Sequence, residues 1–421
     1  MSMKKIIAAI IICLFLMAEA ASAKGNLDFT LHKLESGLPG NTLVVIGGIQ
    51  GDEPGGFNAA SLLVTHYRIL KGSVWVVPNL NFISIIRRSR GVYGDLNRKF
   101  ATIKSNDPEL ETIEKIKAII LDDRTDMILN LHDGSGFYRP THIDCARNPS
   151  RWGQSVIIDQ ERIEADKFEN LGEIARKIVA EVNHHLYAGE HAFHVKDTKT
   201  CLGNVEMSKT LTYFAIRNAK PAFGLEASKD FPTHKRAYYH LRALEYYMKL
   251  MGIEYQRNFD LTANGIRNAI NGNSKLSFYD KRIFLDVGNA RRLLGYIPLK
   301  LNSRIEFTPS NPLITVVGTE KRYRVYHGNR SLTLIQPEYF EYDSSIHGIT
   351  MQIDGHERDV NFGEMVGVKE SFSVVPEKGY RVNVIGFTGP GIANEAGISI
   401  YRKDVRERFS VDRTGQMYRV E

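Results

Sequence analysis

Gln50 and Glu53 stand three residues apart, and both carry oxygen donors. They lie in Gly47-Gly48-Ile49-Gln50-Gly51-Asp52-Glu53-Pro54-Gly55-Gly56, between an apolar run and a helix-compatible one. That spacing can aim two side chains at one point. His132 closes a second apolar run, Met127-Ile128-Leu129-Asn130-Leu131-His132-Asp133-Gly134. Donors from two strand ends describe a candidate metal centre at the carboxyl edge of a sheet. Three fixed ligands leave one position for water, which is what metal-assisted amide hydrolysis requires. A site of this kind normally begins with histidine. Glutamine keeps the charge count but is the weaker donor, so weaker metal binding is expected.

The flanking elements explain how such donors could be held. Residues 42–46 read as a buried strand, and the glycines after it open a tight turn. Residues 57–70 read as a helix. Further strands are expected at 74–80, 127–131, 154–159 and 221–226, with a short lead-in strand within 27–36. Helical periodicity is found at 109–120, 168–186, 211–220 and 236–250. The alternation predicts an α/β fold, a mixed central sheet flanked by helices. After residue 250 the texture changes, and helical periodicity fades. Strand candidates follow at 314–318, 323–326, 331–335, 346–353, 365–368, 371–375, 380–387 and 397–401, which predicts β-rich C-terminal domains. The expected divisions are 24–250, a small β-rich domain at 251–341, and a β-sandwich-like domain at 342–421.

The motifs carry a resemblance. Gly47 to Gly56, Gly94-Asp95-Leu96-Asn97-Arg98-Lys99-Phe100 and Leu129-Asn130-Leu131-His132-Asp133 resemble the zinc metallocarboxypeptidases related to carboxypeptidase A. Within that superfamily the chain most resembles the periplasmic D,L-carboxypeptidases of helical Gram-negative bacteria, which trim peptidoglycan. The resemblance implies one zinc ion held by Gln50, Glu53 and His132. It implies Glu226, at the end of an apolar strand, as the general base, and Arg90 as the oxyanion partner. Asn97 and Arg98 would grip the substrate's terminal carboxylate. Asp95 would anchor that loop or Arg98, and the role of Asp133, beside His132, is left open between supporting that histidine and another task. The implied substrate is a peptidoglycan muropeptide, L-Ala-γ-D-Glu-meso-diaminopimelate, trimmed to a dipeptide with an effect on cell shape. A cell-shape protein complex is the implied setting. The tyrosine that many carboxypeptidases place over the substrate has no match here, and Tyr213 reads as helix packing. Glu206, Ser208 and Arg139 are candidates for meeting the extra amine and carboxylate of diaminopimelate. An aspartoacylase or succinylglutamate desuccinylase-like amidohydrolase fits the motifs as an alternative, and a non-catalytic wall-binding protein is a third reading.

Composition narrows the setting. The 421 residues carry a formal charge of +7, without a basic tract interleaved with aromatic residues, which argues against nucleic acid. Lys4 and Lys5, the apolar run 6–17 and Ala21-Ser22-Ala23 read as a signal peptide at residues 1–23, cleaved after Ala23. The expected location is the periplasm. Cys145 and Cys201 would then be the remaining cysteines, and their pairing is left open by the sequence.

Overall fold

The computed structural model describes residues 27–272 and 274–421. The signal peptide and its cleavage site lie outside them. The chain divides into a unit ending at Asn271 and a unit Gly272–Glu421.

The first unit is a mixed sheet covered by helices. Its strands are β1 (His32–Glu35), β2 (Thr42–Ile46), β3 (Tyr67–Lys71), β4 (Ser73–Val77), β5 (Met127–Gly134), β6 (Phe137–Tyr138), β7 (Arg147–Asn148), β8 (Ser155–Ile158), β9 (His194–Asp197), β10 (Ala222–Ser228) and β11 (Glu254–Arg257). Among the described residues the main sheet has seven strands, ordered β1-β4-β2-β5-β10-β8-β9. The central strands β4, β2, β5 and β10 run parallel. β1 is antiparallel to β4, and β8 is antiparallel to β10. Every residue of β2 and β5 is buried. A strand buried on both faces must be covered on both, which is why these segments read as unbroken apolar runs.

The helices are α1 (Pro54–His66), α2 (Phe82–Arg87), α3 (Leu110–Leu121), α4 (Leu171–Asn183), α5 (Leu211–Arg217), α6 (Thr233–Leu250) and α7 (Ala263–Asn271). α1 and α4 both pack against α6, while α5 packs against β10 and β5. Buried Ile113, Ile116 and Ile120 give α3 its core-facing stripe.

Three departures from the sequence reading have local causes. The helix expected over 57–70 ends at His66 because Tyr67 and Ile69 alternate with exposed Arg68 and Leu70. That period of two makes β3, which pairs antiparallel with β11. The first unit extends beyond residue 250 for the same reason, and α7 then packs on α6. α7 buries only Ile266 and Ile270, too few positions to announce a helix.

The second unit holds two apolar clusters. One is built around Leu276, Phe278, Ile297, Val316, Val325 and Ile335. The other gathers Met351, Val360, Val366, Phe372 and Ile400. The strand expected at 380–387 does not form. Val382 and Val384 lean on the second cluster, but their N–H groups donate to Asn394 Oδ1 (2.8 Å) and Glu395 Oε2 (3.1 Å) instead of to a ladder.

Candidate active site

The turn after β2 is shaped by close approach. A Cβ at Gly51 would lie 2.0 Å from the Ser84 carbonyl carbon, so only glycine fits there. Gly55 is equally confined, with Asp133 Oδ1 2.4 Å from where a Cβ would stand. This compression brings Gln50 and Glu53 over the end of β5. Glu53 occupies the N-cap position of α1, yet its side chain does not cap the helix. It turns inward instead, to His132 and to the Asp133 N–H at 3.2 Å.

The three expected ligands converge. His132 Nδ1 lies 2.9 Å from Glu53 Oε2 and 3.2 Å from Gln50 Oε1. Ligand atoms about 2.0–2.1 Å from a tetrahedral zinc stand about 3.3 Å apart, so these spacings fit the edges of such a site. All three side chains are buried. The donor set therefore suits a zinc-sized ion with two oxygens and one nitrogen. Among the described residues no three His, Cys, Asp or Glu side chains are placed to hold a metal ion by themselves, and the third donor here is the Gln50 amide.

Glu226 stands beside His132 through sheet register. β10 runs parallel to β5, and Glu226 pairs with His132. Glu226 Oε2 is buried and has no hydrogen-bond partner among the described residues. Burial pushes its carboxyl up to about 8; the Glu53 and Asp133 charges add to the rise, while His132 and Lys229 oppose it. A buried carboxyl oxygen without a partner is costly to a fold, so this one, beside the candidate metal donors, makes Glu226 a candidate for proton transfer.

The loop 88–98 supplies the cations. Asp95 organises it, accepting from Gln50 Nε2 (2.9 Å), the Asn97 N–H (3.0 Å) and Arg90 Nε (2.9 Å). Burial works against ionisation of Asp95, but the Gln50 amide, Arg90, Arg98 and the Asn97 N–H outweigh it and hold it below the usual carboxylate range. Asp95 thus fixes the Gln50 amide and the Arg90 guanidinium at once. Arg90 Nη1 reaches to 3.9 Å from Glu53 Oε1. Asn97 Oδ1 accepts from the Leu211 N–H at 2.9 Å, which ties this loop to α5.

Asp133 adjoins the candidate ligands Glu53 and His132. It accepts from the Gly55 N–H (2.7 Å) near the start of α1, from Arg236 Nη1 (3.1 Å) and from His240 Nε2 (3.2 Å). Burial would raise it, yet the His240 and Arg236 partners and the Gly55 amide prevail and keep it ionised. It locks β5 to α1 and α6 at the point where His132 leaves the sheet.

These groups line a cavity of about 280 Å³ that includes Gln50, Glu53, Arg90, Asn97, Arg98, His132 and Glu226. The sequence reading missed several of its walls, among them Trp152, Thr210, Thr212 and Lys229. Lys229 Nζ lies 2.8 Å from Asp52 Oδ2 and 3.5 Å from Glu53 Oε1. Its signal was available, three residues after Glu226 on the same strand exit. Glu206, Ser208 and Arg139 do not line the cavity. Glu206 pairs at the surface with Lys209 and Arg98. Arg139 is buried, and its guanidinium is spent on the carbonyls of Tyr138, Glu190 and Ala192. Tyr213 packs against the core, as expected. Cys145 and Cys201 are exposed and unpaired.

Comparison with known proteins adds to this geometry. The sequence model of the family described as "Carboxypeptidase controlling helical cell shape catalytic" matches residues 3–271. That described as "C-terminal domain of metallo-carboxypeptidase" matches residues 342–421. Among solved structures, the apo cell shape determinant protein Csd4 from Helicobacter pylori is similar at 37% identity and a TM-score of 0.85, over 93% of this chain and 97% of that one. The tripeptide-bound form of that protein is similar at 36% identity and a TM-score of 0.85, over 94% of this chain and 100% of that one. Its mDAP-bound form, described as a D,L-carboxypeptidase, is similar at 38% identity and a TM-score of 0.85, over 92% of this chain and 97% of that one. No curated protein sequence matches significantly.

Proposed function

Since the chain belongs to the family of carboxypeptidases controlling helical cell shape, we propose that it is a zinc-dependent D,L-carboxypeptidase of the periplasm that trims peptidoglycan tripeptide to dipeptide. The observation that carries the reading is the convergence of Gln50, Glu53 and His132 beside the orphaned carboxyl of Glu226. The tripeptide and mDAP complexes of the Helicobacter pylori protein support the choice of substrate.

Each residue has a task. Gln50, Glu53 and His132 would hold the zinc, which when bound would supply a Lewis acid and a more acidic water. Asn97 and Arg98 receive the terminal carboxylate of the peptide, the arginine through its fork of donors. Arg90, tethered by Asp95, faces the scissile carbonyl oxygen and stabilises its developing charge. Glu226 accepts a proton from the water and returns it to the leaving amine. The bond cut joins γ-D-Glu to diaminopimelate, so free diaminopimelate leaves.

Purified protein with its zinc measured is incubated with muropeptide tripeptide, muropeptide tetrapeptide, N-acetylaspartate and succinylglutamate. Tripeptide should yield dipeptide and diaminopimelate, and tetrapeptide should be poor because its extra residue moves the carboxylate away from Asn97 and Arg98. Cleavage of N-acetylaspartate or succinylglutamate with tripeptide untouched would replace this reading by the amidohydrolase one. Export is tested by the mass of the natively produced N-terminus, which should begin at Lys24; a chain retaining residues 1–23 in the cytoplasm contradicts it.

A further inference from the structure

The segment 380–385 belongs to no sheet, yet it is extended in its burial pattern. Tyr380, Val382 and Val384 are half-buried, while Arg381, Asn383 and Ile385 are exposed. That period of two is a strand's. Its hydrogen bonds alternate in the same way. The Val382 N–H donates to Asn394 Oδ1, and the Val382 carbonyl accepts from the Glu395 N–H at 3.0 Å. The Val384 N–H donates to Glu395 Oε2, and the Val384 carbonyl accepts from the Phe387 N–H at 3.0 Å. The backbone N–H and carbonyl groups of Arg381, Asn383 and Ile385 make no hydrogen bond among the described residues. Successive residues of an extended chain turn these groups to opposite edges. One edge of the segment is therefore tied down, and the other is an unpaired strand edge.

The edge borders a cavity. Residues 381–385 line a space of about 440 Å³ within the second unit, together with Ile349, Met351, Phe372, Val374 and Tyr418. It is larger than the 280 Å³ catalytic cavity, and its mostly apolar walls leave room for large apolar side chains. A strand laid along the free edge would turn every second side chain to that side. The surroundings are basic. Lys378, Arg381 and Arg406 are exposed there, against Glu377, and the Arg406 N–H donates to the Gly386 carbonyl at 3.0 Å.

We propose that the free edge of residues 381–385 docks an extended segment of a partner protein. That segment pairs as an added strand, seats an apolar side chain in the cavity and carries acidic residues beside it. Three N–H and three carbonyl groups at two-residue intervals match the repeat of a polypeptide main chain. An acyl chain would fill the cavity but leave those groups unmatched. Main-chain pairing supplies the affinity, and the cavity selects the side chain. The site draws only on residues of the second unit, so it does not depend on the carboxypeptidase reading.

The probe is acetyl-Glu-Leu-Thr-Leu-Thr-Leu-Glu-amide, titrated by calorimetry into the full chain. Binding should saturate and should slow amide hydrogen exchange across residues 380–386. A form N-methylated on the central leucine and the threonine after it cannot pair from either edge. It should bind about 10-fold or more weakly. A form with lysines in place of the glutamates should also bind more weakly. Asn383→Pro removes an edge N–H that no group of the protein accepts, so it should keep the wild-type thermal midpoint. Its affinity for the peptide should fall about 3- to 10-fold. Val375 lines the cavity and is 38% exposed, so Val375→Trp should weaken binding by filling the cavity and leave the edge intact. If Asn383→Pro fails to fold, Val375→Trp and the methylated peptide decide. Equal affinity for the parent and methylated peptides overturns the strand pairing, and absence of binding to wild type overturns the proposal. Self-association of wild type that Asn383→Pro abolishes would assign the edge to a second copy of this chain and overturn it as well.

Discussion

Glu226 shows what one residue contributes to the site and what it costs the fold. An unfolded glutamate titrates near 4.5, whereas burial lifts this one to about 8 in the metal-free fold. Between those values the folded chain holds a proton that the unfolded chain has released. Its contribution to stability is complete below 4.5 and is lost as pH rises toward 8. Glu226→Gln removes that slope. The metal-free variant should be more stable than wild type by about 4 kcal/mol at pH 7.5, with little gain near pH 4.5, as read by urea unfolding. A destabilised variant at pH 7.5 would show that the carboxyl has partners the geometry lacks. Gln50 is the other residue of consequence. Its Oε1 faces His132 while its Nε2 is held by Asp95, so the weaker donor is at least well oriented. Gln50→His should match or exceed wild-type zinc affinity, and Gln50→Ala should lose roughly tenfold or more in zinc titration. Equal affinity for wild type and Gln50→Ala would remove Gln50 from the ligand set.

At the scale of elements, the parts that position the site were the most legible. β2 was readable to the residue because four consecutive apolar residues follow the β-branched Thr42 and stop at Gly47. β5 and β10 were readable for the same reason, and their parallel register sets Glu226 beside His132. What could not be read was anything that depends on the third dimension. Thr210 and Thr212 look like ordinary helix-start residues, and only the fold carries them to the cavity. Arg139 looked available in the sequence because nothing there announces three backbone carbonyls. β11 and α7 were missed because their burial comes from β3 and α6 rather than from their own periodicity. A measurement follows from that miss. A chain ending at Leu250 lacks β11 and α7 and bares the edge of β3. It should unfold at a lower temperature than a chain ending at Asn271, by about 4 °C or more. Equal midpoints would mean that the first unit closes at residue 250.

For the molecule as a whole, the two units should answer differently to acid. In the second unit His327 is 3% exposed, between strands that carry the first apolar cluster. Burial, with Arg330 adding, depresses its imidazole to about 4. The unfolded chain binds that proton near 6.5, so the second unit is fully stabilised above 6.5 and loses stability as pH falls from there toward 4. The loss should approach about 3 kcal/mol. Thermal scans of the chain Gly272–Glu421 across that window should show a falling midpoint, and His327→Leu should flatten it. A wild-type midpoint independent of pH between 6.5 and 4 contradicts the buried neutral imidazole.

The first unit carries the chemistry, and its central claim is that Gln50, Glu53 and His132 hold a zinc ion beside a proton-transferring Glu226. The most direct measurement takes wild type and Glu226→Gln side by side, determines zinc in each sample, and follows muropeptide tripeptide by chromatography and mass. Both proteins should carry one zinc per chain. Wild type should release diaminopimelate, and Glu226→Gln should be slower by about 10²- to 10⁴-fold, because an amide cannot accept the proton. Tripeptide cleavage by zinc-loaded Glu226→Gln at the wild-type rate would contradict the account.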